Sequence, residues 1–182
     1  MQFTVKGGSI MRKIILYWLV PFLWISVIFY FSSQSSNEQD IKPFLSDMTI
    51  LNKLEPIVSQ IKFSYYGEMR SVETMGLERF VEFLIRKLAH FGTYFILAVL
   101  IFWAIRKSLQ STINMQIILA FYLVVLFAIV DEFNQAFTPE RTPYFGDIMI
   151  DSIGGLSGLF VYILILFIRK KLKKKNVNPQ PL

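Results

Sequence analysis

Four long apolar runs divide the chain. They cover roughly Ile14–Phe31, Leu88–Ile105, Ser108–Val130 and Ser152–Ile168, and apart from His90 they hold no Asp, Glu, Lys, Arg or His. At 1.5 Å rise per residue, a run of about 17–23 residues spans a hydrocarbon core of about 30 Å. In lipid every backbone polar group must be satisfied within its own segment, so these runs are predicted as helices. The pattern gives helices at about 14–33, 80–106, 110–133 and 148–169, in one domain covering residues 1–182. The fold class is therefore an all-α, polytopic membrane protein.

The first run has a basic start (Lys6, Arg12, Lys13), as a signal peptide does. It is longer than a usual signal core, and no A-x-A-like cleavage site follows, so a retained helix is expected. Met1 and Met11 both fit as the start of translation.

The segment 34–79 is more than a linker. Ile50, Leu51, Leu54, Ile57, Val58 and Ile61 recur at helical spacing, with Asn52, Lys53, Glu55 and Gln60 opposite. An amphipathic helix is predicted, either capping the bundle or lying on a leaflet, with capping preferred. Pro56 is expected to kink or restart it, and Gly67 to break "SYYGEMRS" as a turn. The stripe Phe80, Val81, Leu84, Ile85, Leu88 leads directly into the second long helix.

Composition agrees with a membrane chain. Of 182 residues, 54% are hydrophobic and 18% charged, whereas soluble domains carry roughly a quarter charged residues. The net charge of +6 resides largely at helix ends: Lys6, Arg12 and Lys13, then Arg106 and Lys107, then the "RKKLKKK" tail. That placement speaks for topology rather than nucleic-acid binding. By the positive-inside rule both termini and the 106–107 turn face the cytoplasm, while 34–79 and 131–151 face outward. The terminal lysines serve most simply as anchors at an anionic leaflet. With no cysteine, disulfides and thiolate chemistry are excluded.

Polar chemistry concentrates in "DEFNQAFTPERTPYFGDIMID", residues 131–151. A charge at the centre of an inserted helix costs about 2.5–3.5 kcal/mol, so such groups persist when paired, solvated or used. Lys87, His90 and Tyr94 share one helix face, as do Asp131 and Gln135, with Glu132 rotated off by about 100°. Asp147, Asp151 and a glycine share a face at the start of the fourth helix. Three helix ends thus meet at one level, and Lys87, His90, Asp131, Glu132, Gln135, Arg141, Asp147 and Asp151 can converge there. Plainer readings exist for each. His90 can make an interhelical hydrogen bond, Asp131 and Asp147 can pair with Lys87 and Arg141, and Glu140 can simply be solvated. Eight polar groups from three helices exceed what packing requires. Gly154, Gly155 and Gly158, with Ser152 and Ser157, form a small-residue face for close helix packing.

"KLAHFGTYFIL" followed by "DEFNQAFTPERTPYFGDIMIDSIGGLSG" resembles the VanZ-like family of bacterial membrane proteins. Lys87, His90 and Tyr94 match its Lys-x-x-His-x-x-x-Tyr element. Asp131, Glu132, Gln135, Phe137 and Arg141 match its second element, and Asp147 and Gly154 its third. "FYFSSQS", with Ser32 or Ser33, is similar to the family's serine-rich exit from the first helix. Asp151 departs from the pattern, where asparagine is usual. The motifs cover the last three helices; residues 34–79 match none of them. The resemblance implies a bacterial cytoplasmic-membrane protein, since the family's named member is associated with teicoplanin resistance, and it implies no particular reaction.

Three functions compete. In the first, no bond is broken and no cofactor is required. Lys87, His90, Tyr94, Asp131, Glu132, Gln135, Arg141, Asp147 and Asp151 form an outer-leaflet site, amid membrane lipids, for an amphiphile: an acylated glycopeptide or a lipid-linked wall precursor. The charges then sit at interface depth rather than at the midplane, where a transporter would want them. In the second, Asp131, Glu132, Asp147 and Asp151 hold a divalent cation that polarises a lipid phosphate for hydrolysis or transfer, with His90 as general base. In the third, the chain is a structural partner of another envelope protein.

Overall fold

In the computed structural model the described residues are 5–35, 38, 41, 49–139 and 141–177. Four long helices dominate: α1 (Val5–Ser32), α4 (Leu77–Ser108), α5 (Ile113–Gln135) and α6 (Phe145–Val177). Each contains a stretch long and apolar enough to cross a membrane. Between α1 and α4 come α2 (Thr49–Val58), strands β1 (Phe63–Tyr65) and β2 (Glu68–Arg70), and the single turn α3 (Val72–Met75). The chain is an all-α polytopic membrane protein with one small hairpin added.

The long helices overrun their apolar runs. α4 starts at Leu77, three residues before the predicted boundary, and α6 extends to Val177 through the lysine tail. Apolarity marks the part of a helix that meets lipid, while helix formation continues past it wherever lysine and arginine, which are good helix formers, follow.

α4 is the central helix. Tyr94, Leu97, Ala98, Ile101, Phe102 and Ile105 are buried on it, against Ala120, Val124 and Ala128 of α5 and Leu159 of α6. α4 and α6 run parallel and very close. A Cβ on Gly154 would strike the carbonyl of Phe91, and one on Gly158 the carbonyl of Phe95, four residues further along both helices. A Cβ on Gly155 would meet the Val124 side chain of α5. The glycine face predicted for packing thus lets α6 touch the backbone of α4.

α1 lies on the outside of this trio. The Trp24 indole Nε1–H donates to the Thr93 carbonyl at 3.0 Å, and the Asn134 amide donates to Ser33 Oγ at 3.1 Å. The second bond puts the C-terminal end of α1 beside the C-terminal end of α5. That end, shared with the starts of α4 and α6, is the site end of the bundle.

The segment between α1 and α4 caps the site end. Leu51 and Val58 of α2 pack with Phe80 and Val81 of α4, while Leu54, Ile57 and Ile61 stay exposed. Two of the six residues of the predicted stripe therefore pack on α4, and α2 ends two residues after Pro56. Residues 36–37, 39–40 and 42–48 of this segment lie outside the described residues. The hairpin pairs Tyr65 with Glu68 across Tyr66 and Gly67, whose φ angles of +57° and +75° belong to a type I′ turn. Gly67 adopts this conformation without strain, whereas Tyr66 is unusual there. Strands of three residues are too short to show alternation, so sequence reading found only the turn.

Candidate functional site

A cavity of about 480 Å³ opens at the site end between α1 and the other long helices. Its two sides differ in kind. Val27, Ile28 and Phe31 of α1 make an apolar wall. Opposite them lie Arg86, Lys87, His90, Thr93 and Tyr94 of α4, Asp131 and Gln135 of α5, Arg141 and Thr142 of the connecting loop, and Asp147 of α6. Helical spacing explains the register. α4 and α6 enter from the same end, so Lys87 meets Asp147, and one turn deeper His90 meets Asp151.

Within this cluster the polar groups divide by how well they are satisfied. Lys87 Nζ donates to Asp147 Oδ1 at 2.5 Å, and the Tyr65 hydroxyl donates to the same oxygen. The Lys87 ammonium also stands 4.9 Å from the Tyr65 ring centre and 5.4 Å from that of Phe83, within cation–π range. Glu132 accepts from the Tyr144 backbone N–H, which fixes the loop into α6. Tyr144 packs edge-on against Tyr65 and Tyr66, and its hydroxyl accepts from the Tyr66 N–H at 3.2 Å. These contacts form a network joining the hairpin, α4, α5 and α6.

The deeper half is not finished. Asp131 is 2% exposed and Asp151 is 1% exposed. Oδ1 of Asp131, both oxygens of Asp151, Oε2 of Glu132 and Nε2 of Gln135 are buried without a hydrogen bond to any described residue. His90 Nδ1 is 3.3 Å from Asp151 Oδ1, close enough for an ion pair but off the hydrogen-bonding direction. The Tyr94 hydroxyl donates to the Phe127 carbonyl at 3.2 Å and stands beside Asp131. Buried carboxylate oxygens without partners are rare, because each forfeits its hydration.

Two groups outside the long apolar stretches have shifted titration. Burial raises the Tyr65 phenol above its usual range, and its bond to Asp147 adds to the shift, so it stays a donor. Burial lowers the Arg141 guanidinium from its ordinary value, with nearby Arg86 acting in the same direction, while Asp131 and Glu132 oppose. It remains a cation at neutral pH.

Most sequence-predicted residues line the cavity: Lys87, His90, Tyr94, Asp131, Gln135, Arg141 and Asp147. Glu132 and Asp151 sit behind its surface, and Glu140 lies outside the described residues. Arg86, Ser32, Tyr65 and Tyr144 complete the surroundings. Arg86 pairs with Glu82 at 2.6 Å on its own helix and was hidden by its neighbour Lys87. Ser32 was marked only by the resemblance of "FYFSSQS". Nothing in the local pattern of "SYYGEMRS" signalled that Tyr65 would reach α6.

No curated protein and no solved structure matches the chain. The family model described as VanZ/LLP1 matches residues 17–167, from the first long helix to the last and through every residue of the cavity, and the chain belongs to that family.

Proposed function

We propose that this protein sits in the bacterial cytoplasmic membrane with both termini in the cytoplasm, and that its site end binds an amphiphile at the outer leaflet. The orientation is supported by the basic residues, which gather at the opposite end: Arg106 and Lys107 close α4, and lysines close α6.

The observation that carries the reading is the two-sided cavity. An acyl chain lies along Val27, Ile28 and Phe31, and a polar head meets Arg86, Lys87, His90 and Arg141. The apolar wall gives little affinity, because lipid tails are as apolar as the wall. The acyl chain brings its carrier into the leaflet, and selectivity among membrane-inserted amphiphiles comes from the polar floor. A cavity of about 480 Å³ is of the size that encloses a drug-sized ligand. It takes the acyl segment and adjoining group of a larger molecule and leaves the rest above the membrane. Acylated glycopeptides and lipid-linked wall precursors both have this build, and low-level resistance to teicoplanin follows from capturing either.

The test is expression of the wild type and of Asp131→Asn in a sensitive Gram-positive host. The wild type is expected to raise the inhibitory concentration of teicoplanin several-fold and to leave that of vancomycin, which lacks the acyl chain, unchanged. Asp131→Asn, present in membranes at the same level, is expected to lose the effect. Equal teicoplanin sensitivity with and without the wild-type protein contradicts the reading.

A further inference from the structure

We propose that His90, Asp131 and Asp151 form a binding site for one first-row divalent cation, of the Mn²⁺ or Zn²⁺ kind, in the floor of the cavity. One ligand atom from each residue, an imidazole nitrogen and two carboxylate oxygens, lies within 4.8 Å of the others. The three side chains come from three helices, α4, α5 and α6. Gly154 brings them together: it sits against the Phe91 carbonyl, so the turn of α6 that carries Asp151 lies against the turn of α4 that carries His90.

The second observation is the state of the carboxylates. Both oxygens of Asp151 and Oδ1 of Asp131 are buried without a hydrogen bond to any described residue. Lys87, the cation one turn away, is already bound to Asp147. Two buried carboxylates side by side repel each other, and a dication removes both the repulsion and the unmet demand for a partner. The mixed nitrogen and oxygen donors select the metal class. Mg²⁺ and Ca²⁺ favour all-oxygen shells, whereas imidazole suits first-row transition metals and Zn²⁺. His90 and Asp131 line the cavity while Asp151 stands behind it, so the cation keeps a face toward the cavity. This inference holds whether or not an amphiphile occupies the space above.

The test uses the full chain, untagged, purified in detergent and stripped with a chelator. Mn²⁺ is titrated in, and the bound fraction is read by electron paramagnetic resonance. One Mn²⁺ per chain is expected, with the pulsed spectrum showing nitrogen modulation from a coordinated imidazole. The chain has a single histidine, so that modulation assigns His90. Asp151→Asn and Asp131→Asn are expected to weaken binding at least tenfold. If either variant fails to fold, the nitrogen signal of the wild type decides alone. No stoichiometric Mn²⁺ at millimolar concentration, bound Mn²⁺ without nitrogen modulation, or equal binding by folded Asp151→Asn overturns the proposal.

Discussion

At the scale of single residues, the site holds two kinds of charge with opposite consequences for stability. Lys87 and Asp147 are partners, and removing one leaves the other buried and unpaired. That loss costs about 3–5 kcal/mol for a buried pair, and the partial exposure of both side chains puts the cost at the lower end. Lys87→Met is therefore expected to lower the thermal midpoint and the membrane yield together. Asp151 makes no hydrogen bond to a described residue, and it faces His90 at 3.3 Å. In chelator, Asp151→Asn is expected to leave the midpoint unchanged or raise it, because a buried carboxylate near Asp131 is removed. Thermal unfolding of both variants in one detergent checks the pair of expectations. A large loss on Asp151→Asn would make the deep carboxylates part of the packing network. Functional groups held at a cost to stability are the usual departure from an otherwise consistent fold.

At the scale of elements, the bundle depends on how closely α6 approaches α4. Gly158 meets the Phe95 carbonyl and lies one turn deeper than Gly154, away from the ionisable cluster. Gly158→Ala must push backbone against backbone. Overpacking of this kind costs about 1–3 kcal/mol, and a lowered midpoint in thermal unfolding is the expected readout. An unchanged midpoint would mean that the helices separate freely. The hairpin acts on the site differently, through Tyr65. Its hydroxyl donates to Asp147 and its ring carries the Lys87 ammonium. Tyr65→Phe keeps the ring and removes the donor. Faster hydrogen exchange at residues 63–70 is expected, with the long helices unaffected.

Much of this was legible in the sequence, and the parts that were not share a physical cause. Long apolar runs fix membrane helices because lipid leaves the backbone no other choice. Helical periodicity then puts Lys87, His90 and Tyr94 on one face, and parallel entry of α4 and α6 brings Asp147 and Asp151 opposite them. The glycines announced close packing because few other features explain three of them in five residues. The contacts of Tyr65 and Tyr144 had no such signal. They join segments nearly eighty residues apart, and only the folded chain shows that a three-residue strand reaches the start of α6. Which carboxylates are paired was hidden for the same reason: Asp147 and Asp151 read alike along the chain, and the difference between them lies in what faces each one.

At the scale of the whole molecule, function depends on which way the bundle faces. The chain has no cysteine, so single cysteines report sidedness without background. In intact cells, Gln60→Cys is expected to react with a membrane-impermeant maleimide. Gln110→Cys, exposed in the turn between α4 and α5, is expected to react only after lysis. Labelling of position 110 from outside would invert the orientation and place the cavity at the inner leaflet.

The central claim is that the cavity binds an amphiphile, and direct binding tests it best. The protein in lipid nanodiscs is titrated with teicoplanin, its deacylated core and vancomycin, and association is measured against empty nanodiscs. Saturable binding of one teicoplanin per chain is predicted, absent for the two molecules without an acyl chain. It should weaken at least tenfold in His90→Ala, which removes one of the head-group contacts of the polar floor. Teicoplanin association no greater than with empty nanodiscs, or equal binding of the deacylated core, would contradict the account.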